Sequence, residues 1–416
     1  MRILAWIVTI LLFIGPVVLA VMGWPVEGDA FKELHLYPAY YILLVYVLFA
    51  FVTNRMDKFD CGAAIRIIIL TFLWYIGSKV LGEPRSKMIL FNSMALPAMY
   101  FIFYRSLKGD ENRKMVKNIL IFMFLLNSLM AIYERLTMTL LFPFDIIRSD
   151  FFMDRVTDYT FFRSSALLGH PLTNALMMAI VMAFILISKL HSILKYILYF
   201  IGMVGLLCFN SRAAIMISGG VLGLFLMRLL FKKESSFLHR LFAFFMLAIS
   251  VLLGIYMLRS GFGGRIEENS DLSQDDSTLA RIQVWDIFLQ GDITDFLWGM
   301  SGNDAEKIAF QVMGIVHIEN WFILSSMIVG LVITTIVVIL FVPLFRKMIR
   351  PYDRFSSFLI ILVVVGLSST NNSLACGVQA IAMFFACSYA FEGDLYSVSQ
   401  DQLQYDSSQT GSDYQA

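Results

Sequence analysis

Apolar runs divided by short polar connections make up most of the chain. Twelve runs approach the ~20 residues that a helix needs to cross a bilayer: 3–23, 38–53, 63–82, 88–104, 118–141, 172–188, 191–208, 213–231, 237–258, 320–345, 354–370 and 372–391. Lipid offers no partner for an unpaired N–H or C=O, so each run is predicted to be a helix. The first, MRILAWIVTILLFIGPVVLAVMGW, is predicted to be one unbroken spanning helix. Its length exceeds the ~7–15-residue apolar core of a cleaved leader. One long polar stretch, Arg259 to Asn320, interrupts the pattern between the ninth and tenth runs. Ordinary connections take ~4–6 residues, so a functional role is expected for it. The expected organisation is therefore spanning helices 1–9 over 1–258, an extramembrane loop with short helices over 259–319, spanning helices 10–12 over 320–391, and a disordered tail over 392–416.

Composition agrees with that pattern. Hydrophobic residues make up 59% of the chain and charged residues 15%, and mean hydropathy is +0.75. Soluble proteins carry roughly 25% charged residues, so an all-α polytopic membrane protein is expected and a soluble core is excluded. The formal charge of +1 gives no sign of a nucleic-acid partner. Cys61, Cys208, Cys376 and Cys387 lie far apart, and three of them fall in or beside apolar runs, which suits apolar packing rather than a disulfide or a metal site.

Basic residues set the expected orientation. Alternate connections carry Arg55 and Lys58; Arg105, Lys108, Arg113, Lys114 and Lys117; Lys189 and Lys195; Arg228, Lys232, Lys233 and Arg240; and Arg346, Lys347, Arg350 and Arg354. These are assigned to the cytoplasm, together with both termini. The Arg259–Asn320 stretch then lies on the outer face, and membrane lipids are expected partners throughout. The tail has Asp394, Asp401, Asp406 and Asp413 but no Lys or Arg, a composition that suits disorder.

Four places carry polar groups toward the outer face. In FFRSSALLGHPLTNALMMA, Pro171 suits the first turn of a helix because its missing N–H would have no partner there anyway. Arg163, His170 and Asn174 would then lie near a helix N-terminus, where free N–H groups favour an anion. A histidine in that position also serves as a cap or a packing group. In CFNSRAAIMIS, the turn Asn210, Ser211, Arg212 confines Arg212 to the rim of the bundle. There it either snorkels to water or holds a phosphate through its forked donors. Glu134 and Arg135 lie inside the fifth run, and ionisable groups at that depth usually face a cavity or a partner. In the long stretch, Asp276, Ser277 and Thr278 followed by LARIQVWDIFLQG read as a capped amphipathic helix that ends at Gly291, with Arg281 and Trp285 on one face. Arg265, His317, Glu319 and Asn320 complete the polar set, while Glu267, Asp271 and Asp275 are assigned to a solvated face. No pair of His or Cys residues has metal-ligand spacing, GFGG at 261–264 lacks the strand and helix of a nucleotide motif, and no cofactor is expected.

The ordered set RSSALLGHPLTNA, FNSRAA, ARIQVWDIFL with LWGMSGND, and HIENWFILSSMIVGLV resembles the bacterial O-antigen ligase and O-antigen polymerase superfamily over about residues 115 to 345. The resemblance implies a glycosyltransferase-C-like fold of about twelve helices in the bacterial inner membrane, with a periplasmic active site. It also implies metal-independent transfer from an undecaprenyl-diphosphate-linked oligosaccharide, with a chain-length regulator protein as a further candidate partner. Arg163, Arg212 and Arg281 would bind diphosphate or glycan, and the end of the loop would supply a catalytic group. Ligases of this superfamily usually place a histidine directly before a small polar residue that is followed nine residues later by glycine. Here nine residues do separate Asn320 from Gly330, but Glu319 precedes Asn320 and the histidine is His317. A Glu-Asn pair is similar to many polymerases.

The expected function is polymerisation of lipid-linked repeat units into O-antigen or exopolysaccharide. Expected catalytic groups are Glu319 or His317 as base, with Arg212 and Arg281. Expected substrate-binding groups are Arg163, His170, Asn174, Arg265, Trp285, Asn320 and Glu134. The alternatives are a ligase that moves glycan onto lipid A core or a protein, and a flippase or transporter for lipid-linked glycan. Against the transporter stand the gathering of polar groups on one side and the absence of an internal repeat.

Overall fold

The computed structural model describes residues 1–24, 37–53, 58–80, 88–142, 162–231, 237, 240–241, 244–248, 251–252, 255, 283–287, 292–313, 318, 320–369 and 380–392. Among them the chain is all-α, with no strand. Four helices, Cys61–Val80, Asp110–Thr137, Arg212–Phe231 and Leu331–Ile349, are long and apolar enough to cross a membrane. Their outward faces carry apolar side chains such as Leu73, Phe122, Leu129 and Ile339 in exposed positions, as expected where the surrounding medium is lipid rather than water. Three other helical stretches are buried nearly all round: Leu96–Tyr104 at full burial, most of Pro171–Ile187, and Ala380–Glu392.

Most of the apolar runs named above coincide with helices, but three of them are interrupted or altered. The run 3–23 is two helices, Arg2–Leu11 and Pro16–Val21, and not one. Pro16 has no N–H to give the Leu12 carbonyl and its ring crowds that turn, so the chain restarts with proline at the first helical position. The freed Gly15 N–H donates to the Leu167 carbonyl at 2.9 Å. The run 88–104 begins as a π-helix, Met88–Ala95, and becomes α-helical only at Leu96–Ser106. Pro97 would collide with the carbonyl of Ser93 in a regular turn, and the wider turn relieves that contact. The run 320–345 is broken at Gly330 into Trp321–Val329 and Leu331–Ile349.

The Asp110–Thr137 helix lies between Arg2–Leu11 and Ser192–Cys208. Pro171–Ile187 packs against Ser192–Cys208, Arg212–Phe231 and Arg354–Ser368, while Lys58–Val80 packs against Leu331–Ile349. Within the stretch expected to be an extramembrane loop, Ile293–Trp298 and Gly302–Met313 are helical. Phe296, Met300 and Ala309 gather with Ile323 and Met327 of the Trp321–Val329 helix into a small apolar cluster. Trp298 stacks on Trp74 with ring centroids 6.2 Å apart, which attaches this unit to the Lys58–Val80 helix. Of the amphipathic helix expected after Thr278, the described part is a short 3-10 turn, Val284–Asp286, and its predicted cap and Gly291 stop lie outside the described residues. The tail expected over 392–416 lies outside them too, apart from Glu392 at the end of the last helix.

Candidate functional site

The segment from Phe162 to His170 is non-helical yet almost wholly buried. Buried backbone of this kind needs partners for its N–H and C=O groups, and the surrounding helices supply many of them. Glu134 Oε2 accepts the N–H groups of Ser165 at 2.8 Å and Ala166 at 3.0 Å, while its Oε1 accepts that of Leu141 at 2.9 Å. Arg135 Nη1 donates to the Phe162 carbonyl at 2.7 Å. Asn127 Oδ1 accepts the Leu167 N–H at 3.0 Å, and its Nδ2 donates to Asn174 Oδ1 at 2.9 Å. Asn174 Nδ2 in turn donates to the carbonyls of Ser165 at 2.5 Å and His170 at 3.1 Å. The Ser164 hydroxyl donates to the Ala131 carbonyl at 2.7 Å, and its N–H reaches the Cys208 carbonyl at 3.0 Å.

Asn127, Ala131, Glu134 and Arg135 follow i, i+4, i+7, i+8 spacing, so one face of the Asp110–Thr137 helix carries much of the support. From the other side the break before Pro16 closes on the segment. A Cβ at Gly15 would overlap the Leu168 backbone, and one at Gly169 would meet Val17. Ala166 is held at φ +39° and Asn210 at φ +52°, backbone conformations that L side chains rarely adopt. Such strain persists only where the surroundings dictate it, and it concentrates at functional sites.

This scaffold brings Arg163 and Arg212 to one turn. Arg163 Nε donates to the Phe209 carbonyl at 3.3 Å, and Phe209 to Ser211 is the short connection from which Arg212 opens the next helix. His170 occupies the N-cap position of Pro171–Ile187 without a side-chain capping bond, and Pro171 stands at the first helical position. Arg163, His170 and Arg212 are each half-buried, so they border the buried segment while remaining in reach of solvent. Two guanidinium groups beside the positive end of a helix dipole suit a di-anionic ligand such as a diphosphate.

Other expected site residues do different work in the fold. The carboxylate of Glu134, at 0% exposure, is occupied by backbone N–H groups, and Asn174 is bound among Asn127 and two carbonyls. Both therefore position the segment that carries Arg163 and His170. Asn320 caps Trp321–Val329 by accepting the Ile323 N–H at 3.1 Å. Trp285 is 54% exposed on its 3-10 turn. Arg265, Arg281, His317 and Glu319 lie outside the described residues. Among the described residues no three His, Cys, Asp or Glu side chains gather as a metal-binding group. Asn127 escaped the sequence reading, although its spacing of seven from Glu134 on one apolar helix already placed the two on one face.

A scan of protein-family models finds none that matches, and no curated protein matches the chain.

Proposed function

We propose that the protein is a polymerase that joins undecaprenyl-diphosphate-linked repeat units of a bacterial surface or secreted polysaccharide at the outer face of the inner membrane. The observation that carries this reading is the hydrogen bond from Arg163 to the Phe209 carbonyl, which holds one guanidinium beside the turn that begins with Arg212. Two arginines borne by one turn, at the boundary between a buried segment and solvent, suit a ligand with a charged diphosphate and a lipid tail. The chain crosses the membrane about twelve times in this reading, with the first and tenth crossings broken. Both termini are cytoplasmic, and residues 259–319 lie in the periplasm.

The reaction joins two activated chains. A sugar hydroxyl of one lipid-linked unit attacks the anomeric carbon of the other glycan. A new C–O glycosidic bond forms, the bond from the anomeric carbon to the diphosphate oxygen breaks, and undecaprenyl diphosphate leaves with the electron pair. Glu319 or His317 takes the hydroxyl proton, a contribution typically worth ~10²–10⁴ in rate. Arg163, Arg212 and Arg281 offset the charge that develops on the diphosphate, while the fold fixes the two substrates relative to each other.

Reconstitution with a purified undecaprenyl-diphosphate-linked repeat unit tests the proposal by product size on a gel. A ladder of lengthening chains supports it, and loss of long chains on replacing Arg212 or Arg281, at normal membrane abundance, assigns those residues. Diphosphate release only when lipid A core or a protein acceptor is added identifies a ligase. Movement of labelled glycan across the membrane with no new glycosidic bond identifies a transporter.

A further inference from the structure

A second feature lies at the opposite end of the bundle. The Arg212–Phe231 helix starts at the site turn and carries Arg228 near its far end, about 24 Å away at 1.5 Å per residue. Arg228 Nη1 bonds Asp353 Oδ2 at 2.8 Å, beside Arg354. Beside it the Leu331–Ile349 and Arg354–Ser368 helices line a groove of about 680 Å³. Its walls are apolar side chains such as Val342, Phe358 and Val365, and Phe345 stacked on Phe384 at 4.5 Å borders it from within. From Arg354 to Ser368 the groove follows a helix for about 21 Å, more than one leaflet of a ~30 Å hydrocarbon layer.

Charge is confined to one end of this groove. Arg346, Arg350 and Arg354 all line it there, and among the described residues no carboxylate pairs with any of the three. The nearest acid in sequence, Asp353, is committed to Arg228 and to capping the Phe355 N–H. Three cations at the mouth of an apolar channel match a molecule with an anionic head and a long hydrocarbon tail. The same end also carries the basic connections that the orientation rule assigns to the cytoplasm, where anionic lipids concentrate.

We infer that this groove binds an anionic phospholipid, with its phosphate on Arg346, Arg350 and Arg354 and one acyl chain between the two helices. The inference stands apart from the polymerase reading, because it concerns the other end of the bundle and its test reads no glycan.

The test uses the purified full-length protein in a mild detergent and follows the thermal unfolding midpoint against added dioleoyl phosphatidylglycerol. A saturable rise in the midpoint is expected, because a ligand that binds only the folded state stabilises it by mass action. Dioleoyl phosphatidylcholine, with the same chains and no net charge, and inorganic phosphate, with charge and no chain, are expected to give no saturable rise. Arg346→Gln with Arg350→Gln is expected to weaken the apparent affinity for phosphatidylglycerol at least tenfold. Val365→Trp, which fills the exposed groove wall and keeps every arginine, is expected to do the same. An equal response to phosphatidylcholine overturns the inference, as does a response to phosphate alone. Unchanged affinity in both variants, or a stronger response to a polyisoprenyl phosphate than to phosphatidylglycerol, also overturns it.

Discussion

Glu134 accepts the N–H of Ala166 at 3.0 Å, and Ala166 is the residue held at φ +39°. A carboxylate deep in a helix bundle therefore supports a strained turn 32 residues further along the chain. Both oxygens are used, one by Ser165 and Ala166 and the other by Leu141. In Glu134→Gln one oxygen becomes an amide that can only donate, so the N–H groups it served lose their acceptor. Each buried N–H left unsatisfied costs roughly 1–3 kcal/mol. The expected result is a lower thermal midpoint together with loss of polymer, and Glu134→Ala is expected to lower it further. An unchanged melting curve for both variants would contradict the supporting role assigned to this carboxylate.

Asn127 and Asn174 test the same scaffold from another side. Each is satisfied partly by the other, through the bond at 2.9 Å, and partly by the buried segment. Asn127→Leu and Asn174→Leu should each destabilise the fold, and the double variant should cost less than their sum. A coupling of roughly 0.5–3 kcal/mol is typical of groups in one network, and a double-mutant cycle on thermal or denaturant unfolding measures it. Strict additivity would mean that the two asparagines act separately.

Most helices were legible from hydropathy, because lipid leaves an apolar run few options besides a helix. The breaks were less legible, for separate reasons. Pro16 was visible in the first run, but the apolar residues on both sides outweighed it, and the partner that makes the break worthwhile, Leu167, is about 150 residues away. Glu134 was recognisable as an ionisable group out of place, yet whether such a group faces a substrate or a backbone is decided by tertiary contacts. Arg163 and Arg212 could be picked out as candidates, but the carbonyl that brings them together belongs to Phe209, whose side-chain identity says nothing about it.

Arg163→Lys separates charge from geometry. Lysine keeps the positive charge but has neither the Nε–H that meets the Phe209 carbonyl nor the planar fork. Polymer formation is expected to fall by roughly 10²–10³, the scale of losing one oriented donor at a developing anion, with membrane abundance unchanged. Arg212→Lys is expected to behave alike. Full activity in Arg163→Lys would show that charge alone suffices at this position.

Asp353 gives a pH dependence outside the membrane-spanning segments. Partial burial pushes its carboxyl up, but hydrogen bonds from Ser356 and Arg228 and the charge of Arg228 outweigh that effect and hold it below the ordinary carboxylate range. A group depressed in the folded state stabilises the fold above its unfolded value, ~3.9 for aspartate, and loses that contribution as pH falls through its folded value. The midpoint difference between the parent and Asp353→Asn should therefore be constant above roughly pH 5 and shrink toward pH 3. A difference that grows on acidification would reverse the sign of this account.

Gly299 and Gly330 lie back to back. A Cβ on Gly299 would stand 2.7 Å from the Ile328 carbonyl oxygen and 2.8 Å from the Gly330 nitrogen, and one on Gly330 would stand 2.8 Å from the Leu297 carbonyl oxygen. Both residues also adopt positive φ, +88° and +104°, so neither position favours any other residue. Next to them the Met300 N–H donates to the Met327 carbonyl at 2.7 Å. The two glycines therefore let the Ile293–Trp298 unit pack directly against the broken helix that follows Asn320. Gly330→Ala must push backbone from backbone, which no side-chain rotation relieves, and overpacking of this kind typically costs ~1–3 kcal/mol before backbone strain is added. Faster amide exchange over 293–313 is expected, with exchange in the Asp110–Thr137 helix unchanged. Equal acceleration in both regions would mean that the junction supports the whole bundle rather than the unit it joins.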